Sequence, residues 1–194
     1  IVAVLIGLSW GYMRGFAGEV VGFIVNLFLV IPGLPLMIVI AAYLQNGGIL
    51  MIIAVIVVTG WAWGARVLRS QTQSLRGNDF VTSAQFSGDS RARIVFREIL
   101  PNMTSIIAGT LFGAATAAIL AEAGLEFLGL GDSSIVSWGT MLYWAQNSNS
   151  LLTGQWLLLF APGLCIALLA LSLTLINFGV DGISNPRLRE GKGR

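Results

Sequence analysis

From Val20 to Ala65 the chain carries no charged residue. A helix crosses the hydrocarbon of a bilayer in about 20 residues, so this stretch is too long for one crossing and suits two. The rest of the sequence agrees. Of 194 residues, 56% are hydrophobic and 10% are charged, whereas a soluble domain carries about 25% charged residues. So few charges cannot clothe a water-facing surface of this size. In lipid every backbone N–H and C=O must be satisfied internally. The expected class is therefore all-α and integral to a membrane, a polytopic bundle of transmembrane helices forming a single domain over 1–194.

The turn-forming cluster Gln45-Asn46-Gly47-Gly48 divides the uncharged stretch. The expected spans are 21–44, with kinks at Pro32 and Pro35, and 49–68. Two more follow at 99–121 and 156–178, with Pro101 in the first turn of one and Pro162 near the start of the other. Residues 1–10 are apolar but too few, and Ile1 is not an initiator Met, so an N-terminal part is expected to be missing. The connecting regions are then a loop at 69–98 and another at 122–155. Gly109 and Gly113 give a Gly-x-x-x-Gly spacing suited to close helix packing. Trp10, Trp61, Trp63 and Trp156 fall near span ends and fit an interfacial aromatic belt.

Charge orients this arrangement. Arg14 lies in a polar, Gly-rich loop at 11–19, Arg66, Arg69, Arg76, Arg91, Arg93 and Arg97 lie in or beside 69–98, and Arg187, Arg189, Lys192 and Arg194 lie in the tail. Two spans separate each region from the next, so all the cations share one side. The opposite loops hold none, and 122–155 carries Glu122, Glu126 and Asp132 instead. Cytoplasmic loops collect Lys and Arg, which places 69–98 and the C-terminus in the cytoplasm and 122–155 outside.

Other chemistries lack their parts. There is no His, one Cys (Cys165, in an apolar run) and one Lys (Lys192). That leaves no Cys/His metal cluster, no phosphate-binding Gly-Lys-Ser/Thr loop and no nucleophile with its base. No catalytic residue, metal ligand or cofactor site is expected, and no basic stripe interleaved with aromatics points to nucleic acid. The spans lack the buried charge that a proton-coupled carrier keeps in its path.

The segment 79–91 is unusual for a connector. Asp79 is placed to cap a helix through Ser87, and Gly88 to end it in a left-handed conformation. Phe80, Val81, Ala84 and Ser87 share one face at the 3.6-residue period. Such a face suits a partner's groove, or a helix resting on the membrane. Glu122 and Glu126 are likewise four apart, either an acidic pair at an outer mouth or a helix end at headgroup level.

This segment resembles the permease subunits of ABC importers of the dipeptide/oligopeptide/nickel class. Their shared motif runs Glu-Ala-Ala, three residues, Gly, nine residues, Ile-x-Leu-Pro. Here Thr82-Ser83-Ala84 stands in the first place, Gly88 matches the Gly, and Leu100-Pro101 match the end. Thr82 replaces the acidic residue and Glu98 the Ile. Phe96-Arg97-Glu98-Ile99-Leu100-Pro101-Asn102 is similar to the peptide-class form. The stretch from Glu122 through Gly129 and Gly131, then Ser137-Trp138-Gly139-Thr140-Met141-Leu142, resembles a signature of that class, as does the ending Asn185-Pro186-Arg187-Leu188-Arg189.

The resemblance implies a type I importer permease, of the kind found in the methionine importer, in a prokaryotic cell membrane. It implies ABC ATPase subunits, a second permease subunit (sister or identical) and an extracytoplasmic solute-binding protein as partners. It assigns docking on the ATPase to Phe80, Val81, Thr82, Ser83, Ala84, Gln85, Gly88 and Asp89, in a short coupling helix. ATP hydrolysis would belong to the partner. Peptides, nickel and oligosaccharides are the solutes of importers with this pattern. A stand-alone secondary transporter or channel, or a membrane-embedded enzyme, are the readings from other classes.

Overall fold

The computed structural model describes residues 1–44 and 48–184, and every regular element among them is helical. The helices are α1 (Val2–Tyr12), α2 (Phe16–Val30), α3 (Gly33–Tyr43), α4 (Gly48–Leu75), α5 (Asp79–Phe86), the single turn α6 (Arg91–Arg93), α7 (Thr104–Phe127), α8 (Trp138–Asn147) and α9 (Leu157–Ser184). A π-helical segment (Ile94–Ile99) and a 3₁₀ turn (Leu100–Met103) join α6 to α7, so that Arg91–Phe127 is one helical run. Gly48–Leu75, Arg91–Phe127 and Leu157–Val180 are each long and apolar enough to cross a bilayer, and the bent pair α2–α3 is a fourth if taken as one span. The turn expected at Gln45-Asn46-Gly47 and the ending Asn185–Arg189 lie outside the described residues.

Proline chemistry sets the main departures from the expected helix limits. The stretch 21–44 is two helices rather than one kinked helix. Ile31 is extended, at φ −69° and ψ 127°, as a residue before proline must be. Pro32 then caps α3 and Pro35 sits in its first turn, where a missing N–H costs nothing. Pro101, by contrast, is not in a first turn, because the run begins ten residues earlier at Arg91. With no N–H at Pro101, the bonding shifts register: the Leu100 N–H reaches Val95 O, five residues back. The Asn102 amide then takes up Glu98 O at 2.7 Å. The connector expected at 69–98 is also shorter, since α4 runs on to Leu75 and the next helix opens at Arg91.

The chain divides into two compact units. The first holds Ile1–Ile31, Gly60–Leu111 and the start of Gly179–Arg194. Its larger core joins Leu8, Leu68, Val81, Ile94, Val95, Ile99 and Met103. Gly7 and Gly11 let α1 press onto α4: a Cβ on Gly7 would lie 2.7 Å from Ala65 O, and one on Gly11 2.5 Å from Thr72 Cβ. The close pair is therefore Gly7-x-x-x-Gly11. A Cβ on Gly113, in the spacing singled out above, would meet nothing within 4 Å. Arg76 reaches back to Tyr12 O at 3.4 Å and Met13 O at 3.5 Å, satisfying carbonyls left open at the end of α1. A second cluster gathers Trp10, Val25 and Ala62, with Phe28 edge-on to Trp61 at 5.2 Å. Trp10 is only 2% exposed and so is a core residue, not a belt residue; Trp63 and Trp156 are exposed.

The second unit holds Pro32–Thr59 and Phe112–Phe178. Ala41 of α3, Met51, Ile52 and Val55 of α4, and Leu125 of α7 form its core. Hydroxyls within the long helices bond back to their own turns, as with Thr59 to Val55 O and Thr174 to Ala170 O, both at 2.8 Å, which removes their cost in hydrocarbon. Apolar side chains face outward along both units. Only 6% of the apolar window in Arg91–Phe127 and 11% of that in Leu157–Val180 is buried within the chain. Contiguous apolar surface on this scale needs lipid or protein against it.

Candidate functional site

The short helix α5 is built to stand firm. Asn78, not Asp79, is its N-cap residue, and no side chain caps it there. Its far end is closed by a Schellman turn: the Gly88 N–H bonds Gln85 O at 3.1 Å and the Asp89 N–H bonds Ala84 O at 3.2 Å. Gly88 sits at φ +81°, in the left-handed region that a Cβ disfavours. Asp89 then pairs with Arg93 at 3.2 Å, and the Ser90 hydroxyl accepts from the Arg93 N–H at 3.3 Å, which starts the next helical run. Turn, cap and ion pair thus follow one another without slack.

The apolar face of α5 points into its own chain. Val81 is fully buried, and Phe80 and Ala84 pack on the same cluster as Leu8, Leu68 and Ile94. The Gln85 amide donates to the Tyr12 hydroxyl at 3.2 Å and ties α5 to α1. Thr82, Ser83, Gln85 and Ser87 face outward, the Thr82 hydroxyl bonding back to Asn78 O at 3.2 Å. Among them Phe86 is 89% exposed. The outward surface is therefore polar around one aromatic. Helical period alone grouped Phe80, Val81, Ala84 and Ser87 on one face, but the chain's own core covers only the first three, and Ser87 is exposed one turn beyond them. Phe86 stands off that face, which was the available signal.

A second constellation lies where α7 meets α8. The end of α7 repeats the Schellman closure at Gly129, φ +77°, with the Gly129 N–H on Glu126 O at 2.8 Å and the Leu130 N–H on Leu125 O at 3.0 Å. Leu125 and Leu130 pack together in the core of this unit. Ser137 and Thr140 form a capping box that starts α8: the Ser137 Oγ accepts from the Thr140 N–H at 3.0 Å and the Thr140 Oγ1 accepts from the Ser137 N–H at 2.8 Å. The Ser137 hydroxyl also donates to Glu126 Oε2.

Glu126 is 5% exposed, while Glu122, one turn earlier, is half-buried. They are not an equal pair. The signature glycines make the room for Glu126. A Cβ on Gly131 would lie 2.7 Å from Glu126 Cγ, and one on Gly139 2.5 Å from Glu126 Oε2 and 2.9 Å from Ala123 Cα. Trp138 stays exposed beside them. In the connector, Ser134 donates to Asp132 through its hydroxyl at 2.6 Å and its N–H at 3.0 Å; these bonds hold that carboxyl below its ordinary range. Replacing Glu126 with Ala is expected to cost about 1–3 kcal/mol, the range for losing a buried hydrogen bond to a carboxyl. Glu122→Ala should cost about 0.5 kcal/mol or less. Thermal unfolding of the purified full-length protein in detergent measures both.

Comparison with known proteins assigns the family. Residues 3–190 match the family described as binding-protein-dependent transport system inner membrane component. The chain belongs to this family. Among its relatives are the oligopeptide transport system permease protein OppC of Bacillus subtilis (strain 168), 31% identical over 98% of this chain and 63% of the relative, and the dipeptide transport system permease protein DppC of the same organism, 31% identical over 95% and 58%. A putative peptide transport system permease protein of Brucella suis is 39% identical over 64% of this chain and 42% of its own length. The chain thus spans about three-fifths of the first two relatives. Membership in this inner-membrane family, with apolar helices of spanning length, makes it a multi-pass membrane protein.

Among the described residues the cationic side chains are confined to one of the two units, which also carries Glu19, Asp79, Asp89 and Glu98. Every described Arg (14, 66, 69, 76, 91, 93 and 97) lies in the first unit, which also contains α5. The second has no Arg or Lys and holds Glu122, Glu126 and Asp132.

Proposed function

We propose that this chain is the membrane-spanning permease subunit of an ATP-binding-cassette importer in a prokaryotic cell membrane, carrying peptides or a similar small solute. ABC ATPase subunits supply ATP hydrolysis, a second permease subunit completes the pathway, and an extracytoplasmic binding protein delivers the solute. The Arg-bearing ends, α5 and the C-terminus face the cytoplasm; the α7–α8 junction faces outward. One observation carries this reading: in the unit that holds every described Arg, a short helix packs on the chain's own core, is tied to α1 through Gln85 and is closed by a Schellman turn, and it offers an outward polar face around the exposed Phe86. Aromatic side chains of this kind anchor protein interfaces, ringed by polar neighbours that exclude water.

Thr82, Ser83, Gln85 and Phe86 then make the ATPase contact, Val81, Phe80 and Ala84 transmit its movement into the core, and Gly88 with Asp89 fixes the exit of the chain. The relatives' names favour peptides over nickel or oligosaccharides. The test is ATP-dependent uptake into vesicles holding the full-length protein with its ATPases and binding protein, comparing labelled peptides, oligosaccharides and nickel. Uptake without ATP or ATPase subunits would instead mark a secondary transporter. Phe86→Ala is expected to weaken ATPase association by about tenfold, a loss typical of an aromatic anchor, without changing the unfolding midpoint of the permease. Unchanged association would remove α5 from the interface.

A further inference from the structure

Between α1, α2 and the second half of α4 lies a cavity of about 470 Å³, within the size range of small-ligand sites. It sits at the connector between the apolar helices α1 and α2. Its wall on one side is Arg69 stacked on the face of Trp10, the guanidinium carbon 3.9 Å from the ring centroid. Trp10 is itself fixed, its indole N–H bonded to Gly18 O at 2.7 Å. The Arg69 Nε is buried with no hydrogen-bond partner, and Arg69 makes no ion pair among the described residues. That Nε is closed to a ligand, and with the ring face covered by the indole the remaining edge donors of the guanidinium are those that an anion's oxygens can meet.

Other groups define what that anion belongs to. Gly15 and Glu19, from the start of α2, line the same cavity. No side chain caps α2 at Gly15, so its first N–H groups add a positive end to the site. Glu19 is exposed and supplies a carboxylate beside the cation. The cavity therefore offers two opposite charges, as a zwitterion requires. Phe16, Val20, Phe23, Leu27 and Val30 form an exposed apolar stripe along α2, and Phe23 borders the cavity as well.

We propose that this cavity holds the phosphoethanolamine headgroup of a membrane phospholipid. Its phosphodiester oxygens accept from Arg69 and from the open end of α2, its ammonium donates to Glu19, and its acyl chains lie along the apolar stripe. A choline headgroup has no N–H to give Glu19, and a glycerol headgroup brings no cation.

Native mass spectrometry of the detergent-purified full-length protein tests this, with added phosphatidylethanolamine, phosphatidylglycerol or phosphatidylcholine of matched chains, and with sodium phosphate. One phosphatidylethanolamine is expected to bind about tenfold tighter than the other two lipids, and Arg69→Gln to weaken it by about tenfold. Glu19→Gln, at an exposed position where folding is not at issue, is expected to abolish the preference over phosphatidylglycerol while a lipid still binds. Equal binding of all three lipids, or Glu19→Gln leaving the preference intact, overturns the proposal. Displacement of the lipid by millimolar phosphate also overturns it, marking a free-phosphate site.

Discussion

Substituting proline for Gly88 is expected to abolish ATP-dependent uptake while the protein still inserts into the membrane. Two features of α5 collide with proline at once. Gly88 holds φ +81°, whereas the proline ring fixes φ near −65°. The Gly88 N–H that closes the Schellman turn on Gln85 would also be gone. The turn must open, and with it the placement of Asp89 against Arg93. The spans themselves are untouched, since Gly88 makes no close contact that a Cβ would disturb. The expected signature is ATP hydrolysis that persists in the reconstituted complex while uptake of labelled solute falls to background, a loss of at least about a hundredfold. Gly88→Ala should fall between, because the left-handed conformation costs a Cβ-bearing residue about 1–2 kcal/mol. Normal uptake with proline at this position would remove α5 from the coupling path.

Gly11→Leu is expected to have the largest effect on folding. A Cβ there would lie 2.5 Å from Thr72 Cβ and 2.9 Å from Arg69 O. The second of these is backbone and cannot swing aside. Overpacking typically costs about 1–3 kcal/mol, and here the remedy is to push α1 off α4. That would also strain the contacts of Leu8 with the buried cluster and the Arg76 bonds to Tyr12 and Met13. A loss of about 3 kcal/mol or more follows, read as a lowered unfolding midpoint and a reduced folded yield in detergent. Gly113→Leu is the matched comparison. With nothing within 4 Å of its Cβ, it should change the midpoint of the isolated protein by about 0.5 kcal/mol or less. Equal effects at the two sites would refute the close α1–α4 packing.

These sites also show what could be read before any coordinates. The helical, membrane-embedded character follows from the uncharged stretch and the scarcity of charge, because lipid permits so few alternatives. The left-handed turn at Gly88 was legible since it depends on local steric rules. Gly11 was not: nothing nearby in sequence distinguishes it from the open Gly113, and only the partner helix does. Trp10 near a helix end looked interfacial, yet Val25 and Ala62 cover it. The same limit applied to α5, where periodicity grouped Phe80, Val81, Ala84 and Ser87 but could not tell which of them the core covers. At the α7–α8 junction, Glu126 and Glu122 look alike in sequence. Ser137, eleven residues on, separates them by giving one a hydrogen-bond donor. Proline was informative in kind but not in degree, since Pro32 breaks a helix and Pro101 is absorbed by a π turn.

That π turn has a geometric consequence for the whole Arg91–Phe127 run. The π turn advances each residue by less than the roughly 100° of an α-helix, and the 3₁₀ turn behind it (Leu100–Met103) advances each by about 120°, so the 3.6-residue count does not carry through Ile94–Met103. Lipid-facing or pathway-facing positions on α7 are therefore not found by stepping forward from Arg91 at about 3.6 residues per turn. The count has to begin afresh at Thr104.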